Sequence, residues 1–374
     1  MNVQALISGV AWTLCRLLPV KKNKVVISHF YGRGFGDSPK AIALALKEAD
    51  PSLEICWLLN DMNQPLPDGI RPISYKPLSR IYHLSTARVW IDDCRKGARY
   101  KKRGQIYLQT WHGFALKRIE QDAAASLPDF YPSYAMRDAA QTDVIISGSR
   151  FMTQRYQTSF WYHGPVEEFG SPRNDILFSP PAHLREKICS ALGIAPENKL
   201  VLYAPTFRAD GSLTPYCLDI PTVLSAFDRR FGGKHCMLLR LHPNLDAKSD
   251  FLSCDGSTTF NATHYPDIQE LLAVADAVIT DYSSLMFDFG LTGRPCFQFA
   301  TDIAAYRQDR SFYFSLDKLP FALAENNAQL CDAICAYRPE AAQKNWEQFA
   351  LENGICEDGH AAQRCANWIL NRLG

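Results

Sequence analysis

An α/β fold in two domains is what the sequence predicts, and three observations predict it. Short apolar runs rich in β-branched residues alternate with stretches of helical spacing in both halves of the chain. At 374 residues the chain is too long for one compact core. Between the halves, Gly170, Ser171, Pro172, Arg173, Asn174 and Asp175, then Pro180 and Pro181, break the alternation, which marks a candidate hinge.

Taken in order, the first twenty residues place Val3, Leu6, Ile7, Val10, Leu14, Leu17 and Leu18 at helical spacing, followed by Lys21, Lys22 and Lys24. The run is too short and too polar for a membrane span. An amphipathic helix with a basic flank suits an anionic membrane surface, and Trp12 and the lysines suit its interface; packing on the protein's own core is the alternative. Lys24–Phe30 reads as the first strand, followed by the glycine-rich YGRGFGDSPK and a helix over Ala41–Leu46. The G-x-G-x-G spacing lacks the dinucleotide fingerprint, so the loop reads as a tight turn lining a cleft. Glu54–Leu59 and Arg88–Asp92 read as further strands, with Tyr82–Ala87 a helix between them.

Arg95, Lys96, Arg99, Lys101, Lys102 and Arg103 follow closely, and such a run is usually a solvated loop. Gln105–Thr110 is a strand running into Trp111, His112 and Gly113. That puts an imidazole at a carboxyl edge, where open α/β sheets bind ligands, and Gly113 lets another group approach closely. Histidine is the side chain best suited to take a proton near neutral pH, although a lone histidine is more often structural. Asp143–Ser147 and Val166–Phe169 are the last strands before the break.

Beyond it, Leu200–Ala204 is a strand closed by Pro205, Thr206, Phe207 and Arg208, and Cys236–Leu241 is closed by His242, Pro243 and Asn244. Ile268–Ala275 is a helix, Ala277–Thr280 a buried strand, and Asp281–Ser284 a turn. A helix then carries Leu285, Met286, Phe289 and Leu291, ends at Gly293 and Pro295, and leads into the run Cys296–Phe299. Ser283 and Ser284 therefore offer hydroxyls and backbone N–H groups at a helix N-terminus, ready for a phosphate or pyrophosphate; plain capping is the alternative. Three strand ends that offer Thr/Arg, His and Ser/Ser to one edge favour a ligand site over caps alone.

Composition bounds the function. Hydrophobic residues make up 47% and charged residues 21%, which suits a folded, soluble chain, and a net charge of +1 leaves no global basic footprint for nucleic acid. The twelve cysteines are scattered, Cys331 and Cys335 being the closest pair. Cys15, Cys56, Cys189 and Cys236 lie in apolar runs, as buried thiols in a reducing compartment do. No carboxylate cluster suits a metal, so none is expected for binding.

Seven stretches, in order, carry a family resemblance: QTWHGFALKRIEQD, GSPRND, LYAPTFRADG, LLRLHPN, ADAVITDYSSLMFDF, RQDRSFYF and EDGHAAQR, between Gln105 and Arg364. Together they resemble the CDP-glycerol glycerophosphotransferase family of bacterial teichoic acid and capsule synthesis. The family usually has Arg-Gly-Phe-Tyr where this chain has Arg310, Ser311, Phe312 and Tyr313.

The resemblance implies a GT-B architecture, α/β with two Rossmann-like domains facing across a cleft. Residues 21–172 would form the acceptor domain and 173–374 the CDP-donor domain, after an amphipathic helix over residues 1–20, with the final helix free to pack back on the first domain. It implies transfer of glycerol phosphate from CDP-glycerol to a hydroxyl of a lipid-linked, polyol-phosphate or saccharide acceptor, with CMP leaving. CDP-glycerol is then a co-substrate, and no cofactor is implied. A CDP-ribitol donor, a sugar-nucleotide donor on the same fold, and a non-catalytic nucleotide-binding or membrane-scaffold protein are the rival readings. By the resemblance His112 is the candidate base, and His242 contacts the pyrophosphate as a cation or as the acid for the leaving group. Thr206, Arg208, Ser283, Ser284, Asp288 and Arg310 complete the donor set, with Asp288 reaching a ribose or glycerol hydroxyl and Asp281 an anchor. Trp111, Gly113 and Lys117 form the acceptor side. The expected partners are the CDP-activated polyol, the lipid-linked or oligomeric acceptor and an anionic membrane surface, without nucleic acid. Peripheral attachment to the cytoplasmic face of the cell membrane, through residues 1–20 and the basic run Arg95–Arg103, is expected.

Overall fold

The computed structural model describes residues 3–208, 211–241, 254–309 and 311–373. The chain separates into two compact units: Met1–Gly113, Ile119–Asp175 and Gly354–Gly374 form one, and Phe114–Arg118 and Ile176–Asn353 the other. The division expected after residue 172 thus falls inside the first unit, in the short 3-10 turn Pro172–Asn174.

The first unit is built on a parallel sheet of seven strands: β1 (Lys21–Ser28), β2 (Glu54–Leu59), β3 (Ile70–Ser74), β4 (Ala87–Asp92), β5 (Ile106–Gln109), β6 (Val144–Ile146) and β7 (Val166–Glu167). Their spatial order is β3-β2-β1-β4-β5-β6-β7. Strand β1 stops at Ser28 because Phe30 and Tyr31 take φ values of 40° and 60°, left-handed backbone that no strand can continue. Strand β3 had no signal in the sequence, since Pro72 interrupts it; a proline is tolerated there because β3 is an edge.

Both faces of this sheet are buried. Val25, Ile27, Trp57 and Val89 face one core, which Cys365, Ala366 and Ile369 of the final helix Ala361–Leu373 complete. Asp175 accepts from the first amides of that helix, Ala361 N at 3.0 Å and Ala362 N at 2.7 Å. Glu357 in turn accepts from Ser171 N and from Asn174 Nδ2. The GSPRND and EDGHAAQR stretches therefore hold each other.

The other face corrects two expectations about the membrane. Trp12, on the helix Val3–Cys15, is 6% exposed and packs among Val26, Leu58 and Trp90, edge-on to Tyr100, so it is a core residue rather than an interface anchor. Lys24 is likewise buried, its Nζ donating to Thr86 Oγ1 at 2.7 Å. Most of the basic run is occupied as well. Buried Arg95 pairs with Glu120 at 2.7 Å and Asp138 at 3.6 Å, and buried Lys96 pairs with Asp92 at 2.6 Å. Lys101 pairs with Asp143, and Lys102 Nζ donates to the carbonyls of Cys15 and Leu18 just where the first helix ends. Arg99 and Arg103 stay exposed. So do the apolar residues of that helix opposite Trp12: Leu6, Ile7, Val10 and Leu14.

The second unit carries a parallel sheet of six strands: β8 (Lys199–Ala204), β9 (His235–Leu239), β10 (Thr259–Asn261), β11 (Ala277–Thr280), β12 (Cys296–Phe299) and β13 (Ala322–Ala324), in the order β10-β9-β8-β11-β12-β13. The edge strands β10 and β13 are three residues each, too short to show a period in sequence. All twelve cysteines are free; Cys56, Cys189 and Cys236 are buried and Cys15 partly so. Among the described residues no helix is long and apolar enough to cross a membrane.

The buried acid–base cluster makes a stability prediction. Replacing Arg95 with Ala leaves Glu120 and Asp138 buried without their cation, and should cost about 3–5 kcal/mol in denaturant unfolding. A loss below about 1 kcal/mol would mean the cluster behaves as a solvated surface pair.

Candidate functional site

In each sheet the strand order reverses at one point, and open α/β sheets bind ligands at the carboxyl ends beside it. In the first unit that point lies between β1 and β4, with β5 next to β4. The loops leaving these three strands carry His29, Asp93 and His112. His112 Nδ1 lies 2.8 Å from the backbone carbonyl of Asp93. The Asp93 carboxylate, fully buried, accepts from Phe30 N at 2.9 Å through one oxygen and holds His29 Nδ1 through the other. One residue thus anchors two imidazoles.

Trp111, expected on the acceptor side, is 8% exposed and stacks on the His112 ring, their centroids 4.3 Å apart. Its role in the structure is to back His112, not to present a face to solvent. The close approach that Gly113 permits is by Arg173: a Cβ there would lie 2.1 Å from the guanidinium. Arg173 also pairs with Asp37 at 3.0 Å. Burial pushes the Asp37 carboxyl up, but the guanidinium outweighs it and holds the group below the usual carboxylate range. Phe30, Tyr31, Asp37 and Trp111 are four of the six non-glycine residues with positive φ among those described, so backbone strain gathers at this edge. Lys117 follows Gly113 by four positions. Its segment is counted with the second unit, where Lys117 pairs in a β-bridge with Phe312 and its Nζ lies 5.2 Å from the Tyr306 ring centroid.

In the second unit the reversal lies between β8 and β11, whose loops carry Thr206 and Asp281–Ser284. Asp281 ties them: it accepts from Thr206 N at 2.8 Å and Tyr282 N at 2.6 Å, and pairs with Arg208 at 2.8 Å. Arg208, expected in the donor set, is held within this loop network. It is 6% exposed, shared between Asp281 and Asp302 (2.7 Å), and lies about 5 Å from the centroids of the mutually stacked rings of Tyr282 and Tyr306. Paired with two carboxylates, it braces the loop in this structure. Asp288 is buried and accepts from Gln269 Nε2 at 2.9 Å, a tie to the helix Ile268–Val274. Ser283 and Ser284 remain half-buried at the start of the six-residue helix Leu285–Gly290, and Ser284 makes no side-chain capping bond. The Thr206 hydroxyl is buried and has no partner among the described residues. His242 and Arg310 lie outside the described residues. Among the described residues no group of three or more His, Cys, Asp or Glu is placed to hold a metal ion.

Sequence reasoning passed over His29, Asp93, Asp37 and Arg173. His29 was read inside the strand Lys24–Phe30, whereas β1 ends at Ser28 and leaves it just past a carboxyl end as His112 is, and Arg173 sits in GSPRND.

Comparison with known proteins agrees with these features. Residues 10–371 match the family described as CDP-Glycerol:Poly(glycerophosphate) glycerophosphotransferase. The chain is 31% identical to the teichoic acid poly(glycerol phosphate) polymerase of Bacillus subtilis over 330 residues, 85% of this chain but 44% of that one. It therefore spans less than half of that relative. It is 27% identical to the teichoic acid glycerol-phosphate transferase of Staphylococcus aureus over 99% of each. The solved structure of the wall teichoic acid polymerase TagF superposes with a TM-score of 0.87 at 26% identity, covering 100% of this chain and 95% of that one. Two parallel sheets with flanking helices, each with one reversal of strand order, place the chain in the GT-B class of α/β folds.

The His29–Asp93 tie predicts a pH dependence. Burial lowers the affinity of His29 for its proton, but the Asp93 carboxylate more than offsets this and raises it above the usual value near 6.5. The stabilisation is then fully present below about pH 6.5 and lost as pH rises through the folded-state value. An NMR titration of the His29 ring should show a midpoint above 6.5, and Asp93→Asn should bring it down. An unchanged midpoint in that variant would remove Asp93 as the cause.

Proposed function

We propose, since the chain belongs to the CDP-glycerol:poly(glycerophosphate) glycerophosphotransferase family, that it transfers glycerol phosphate from CDP-glycerol to a hydroxyl of an acceptor in teichoic acid synthesis, releasing CMP. The observation that carries the mechanism is the anchoring of His112. A carbonyl oxygen can only accept, so with Nδ1 at 2.8 Å from the Asp93 carbonyl the proton sits on Nδ1. The lone pair is then on Nε2, which makes no hydrogen bond among the described residues; that is the form a general base needs. His112 takes the acceptor hydroxyl's proton as that oxygen bonds to the glycerol-bearing phosphorus. The bond from that phosphorus to the bridging oxygen breaks, and its electron pair leaves with CMP. Ser283, Ser284 and the unpartnered Thr206 hydroxyl bind the pyrophosphate, and His242 and Arg310 supply positive charge to it.

The acceptor is lipid-linked or already polymeric, and the chain works against an anionic membrane at its cytoplasmic face. Supporting this, Leu6, Ile7, Val10, Leu14 and Leu17 are 49–85% exposed on or just after the first helix, with Lys21 and Lys22 exposed beyond it. Apolar burial supplies a salt-independent part of attachment and the lysines a salt-sensitive one.

The donor is tested by offering CDP-glycerol, CDP-ribitol and sugar nucleotides with a glycerol phosphate-terminated acceptor, and weighing the product. Release of CMP only from CDP-ribitol, or of nucleotide only from a sugar donor, would replace the reading. His112→Ala should slow turnover about a hundred- to ten-thousand-fold and leave CDP-glycerol affinity within about two-fold. Ser284→Ala should weaken that affinity by about 1.5–3 kcal/mol, and calorimetry showing no change would reduce the serine to a helix start. Replacing Leu6, Ile7, Val10 and Leu14 with Ser should abolish sedimentation with vesicles rich in anionic lipid while donor binding persists. Sedimentation equal to the parent's would rule the helix out as the attachment.

A further inference from the structure

We propose that His29 is a second acceptor-binding residue, whose Nε2–H donates to a phosphate oxygen at the polyol-phosphate end of the acceptor, beside the hydroxyl that His112 deprotonates. This rests on the transfer reaction proposed above and adds a group that recognises the charge of the acceptor.

Four observations carry it. His29 and His112 sit on the loops after β1 and β5, on either side of the β4 loop at the reversal point of the first sheet, and both are anchored at Nδ1 by Asp93 of that middle loop. With Nδ1 taken, each ring has only Nε2 for a ligand, and neither Nε2 bonds to anything among the described residues. Asp93 itself is wholly buried, yet the His29 side chain keeps 19% exposure. Gly36 lies against that free nitrogen: a Cβ there would come within 3.3 Å of His29 Nε2. The backbone at Gly36 is extended, with φ at −166°, and any residue could adopt it. Space at Nε2 is therefore what a glycine provides there. Finally, Phe30 and Tyr31 hold a strained left-handed backbone directly after His29, and Phe30 N is pinned by the same carboxylate, so the ring is fixed at some conformational cost.

The charges around His29 suit an anion. Asp92 is matched by Lys96 and Asp37 by Arg173, so of the three acids facing the ring Asp93 is the one paired with His29 itself. That pairing favours the imidazolium, a cation with one N–H left to give. An acceptor that ends in a phosphodiester next to its hydroxyl offers the matching oxygen. Asp93 acts through the two rings and is a positioning residue.

The test uses the full chain with two soluble acceptors, one ending in glycerol phosphate and one with the same hydroxyl but no phosphate. His29→Ala should raise KM for the phosphate-bearing acceptor about 10- to 100-fold, leave KM for the neutral one within about two-fold, and leave CDP-glycerol affinity unchanged. Gly36→Ala keeps the imidazole but crowds Nε2, and should raise the same KM by less; it decides the matter if the His29 variant fails to fold. His29→Gln, neutral at every pH, should flatten the rise of that KM with pH that the parent shows. Equal losses on both acceptors, or a KM that does not move, would overturn the proposal. If the parent turns over neither acceptor, the transfer reading fails. Calorimetric binding of the phosphate-bearing acceptor to the parent but not to His29→Ala would still support this one, and equal binding to both would end it.

Discussion

Each unit rests on an aspartate just past the end of a strand at the reversal of strand order. Asp93 follows β4 and accepts from Phe30 N in the loop after β1; Asp281 follows β11 and accepts from Thr206 N in the loop after β8. In both sheets these are the two strands flanking the reversal. Helices leave a parallel sheet in opposite directions there, so the diverging loops expose backbone N–H groups that neither strand can satisfy. Leaving such groups buried and unpaired costs about 1–3 kcal/mol each. A buried carboxylate with two acceptor oxygens meets that need and has capacity left. In the first unit the remainder orients His29, and in the second it pairs with Arg208. Ligand-side geometry in both units is thus a by-product of closing the backbone's hydrogen bonds.

That logic also shows what could be read from the sequence. The central strands were legible because burial on both faces demands unbroken apolar runs, as in Ala277–Thr280 and Glu54–Leu59, whose limits matched. Edge strands were not: β3 contains a proline, and β10 and β13 are too short for any pattern. Trp-His-Gly and Asp-Tyr-Ser-Ser could be placed at strand ends because a strand's carboxyl end is a local property. The partnership of His29 with Asp93 spans 64 positions and belongs to the sheet order, which no local pattern encodes.

Charge was the least legible quantity. Lysines and arginines in a cluster look alike in sequence whether they face water or an acid. Arg95 and Lys96 find Glu120, Asp138 and Asp92 through the fold, and Arg208 finds Asp281 and Asp302. Once those pairs are formed, a run that looked like a surface patch becomes internal cement. The exposed apolar side chains of the first helix survive as its outward feature, and they were legible because helical spacing is local.

The helix Ala361–Leu373 has a consequence for how the protein comes into being. It completes the core of the first unit, against residues more than three hundred positions earlier, while most of the second unit is one continuous stretch, Ile176–Asn353. Chains emerging from the ribosome usually fold their early domains first. Here the later stretch has all but five of its residues in one piece and can fold as it emerges. The earlier one must wait, half-assembled, for its last helix to be synthesised. The half that carries both anchored histidines matures last, and the nascent chain holds an open seam in that half until Ala361–Leu373 has been made.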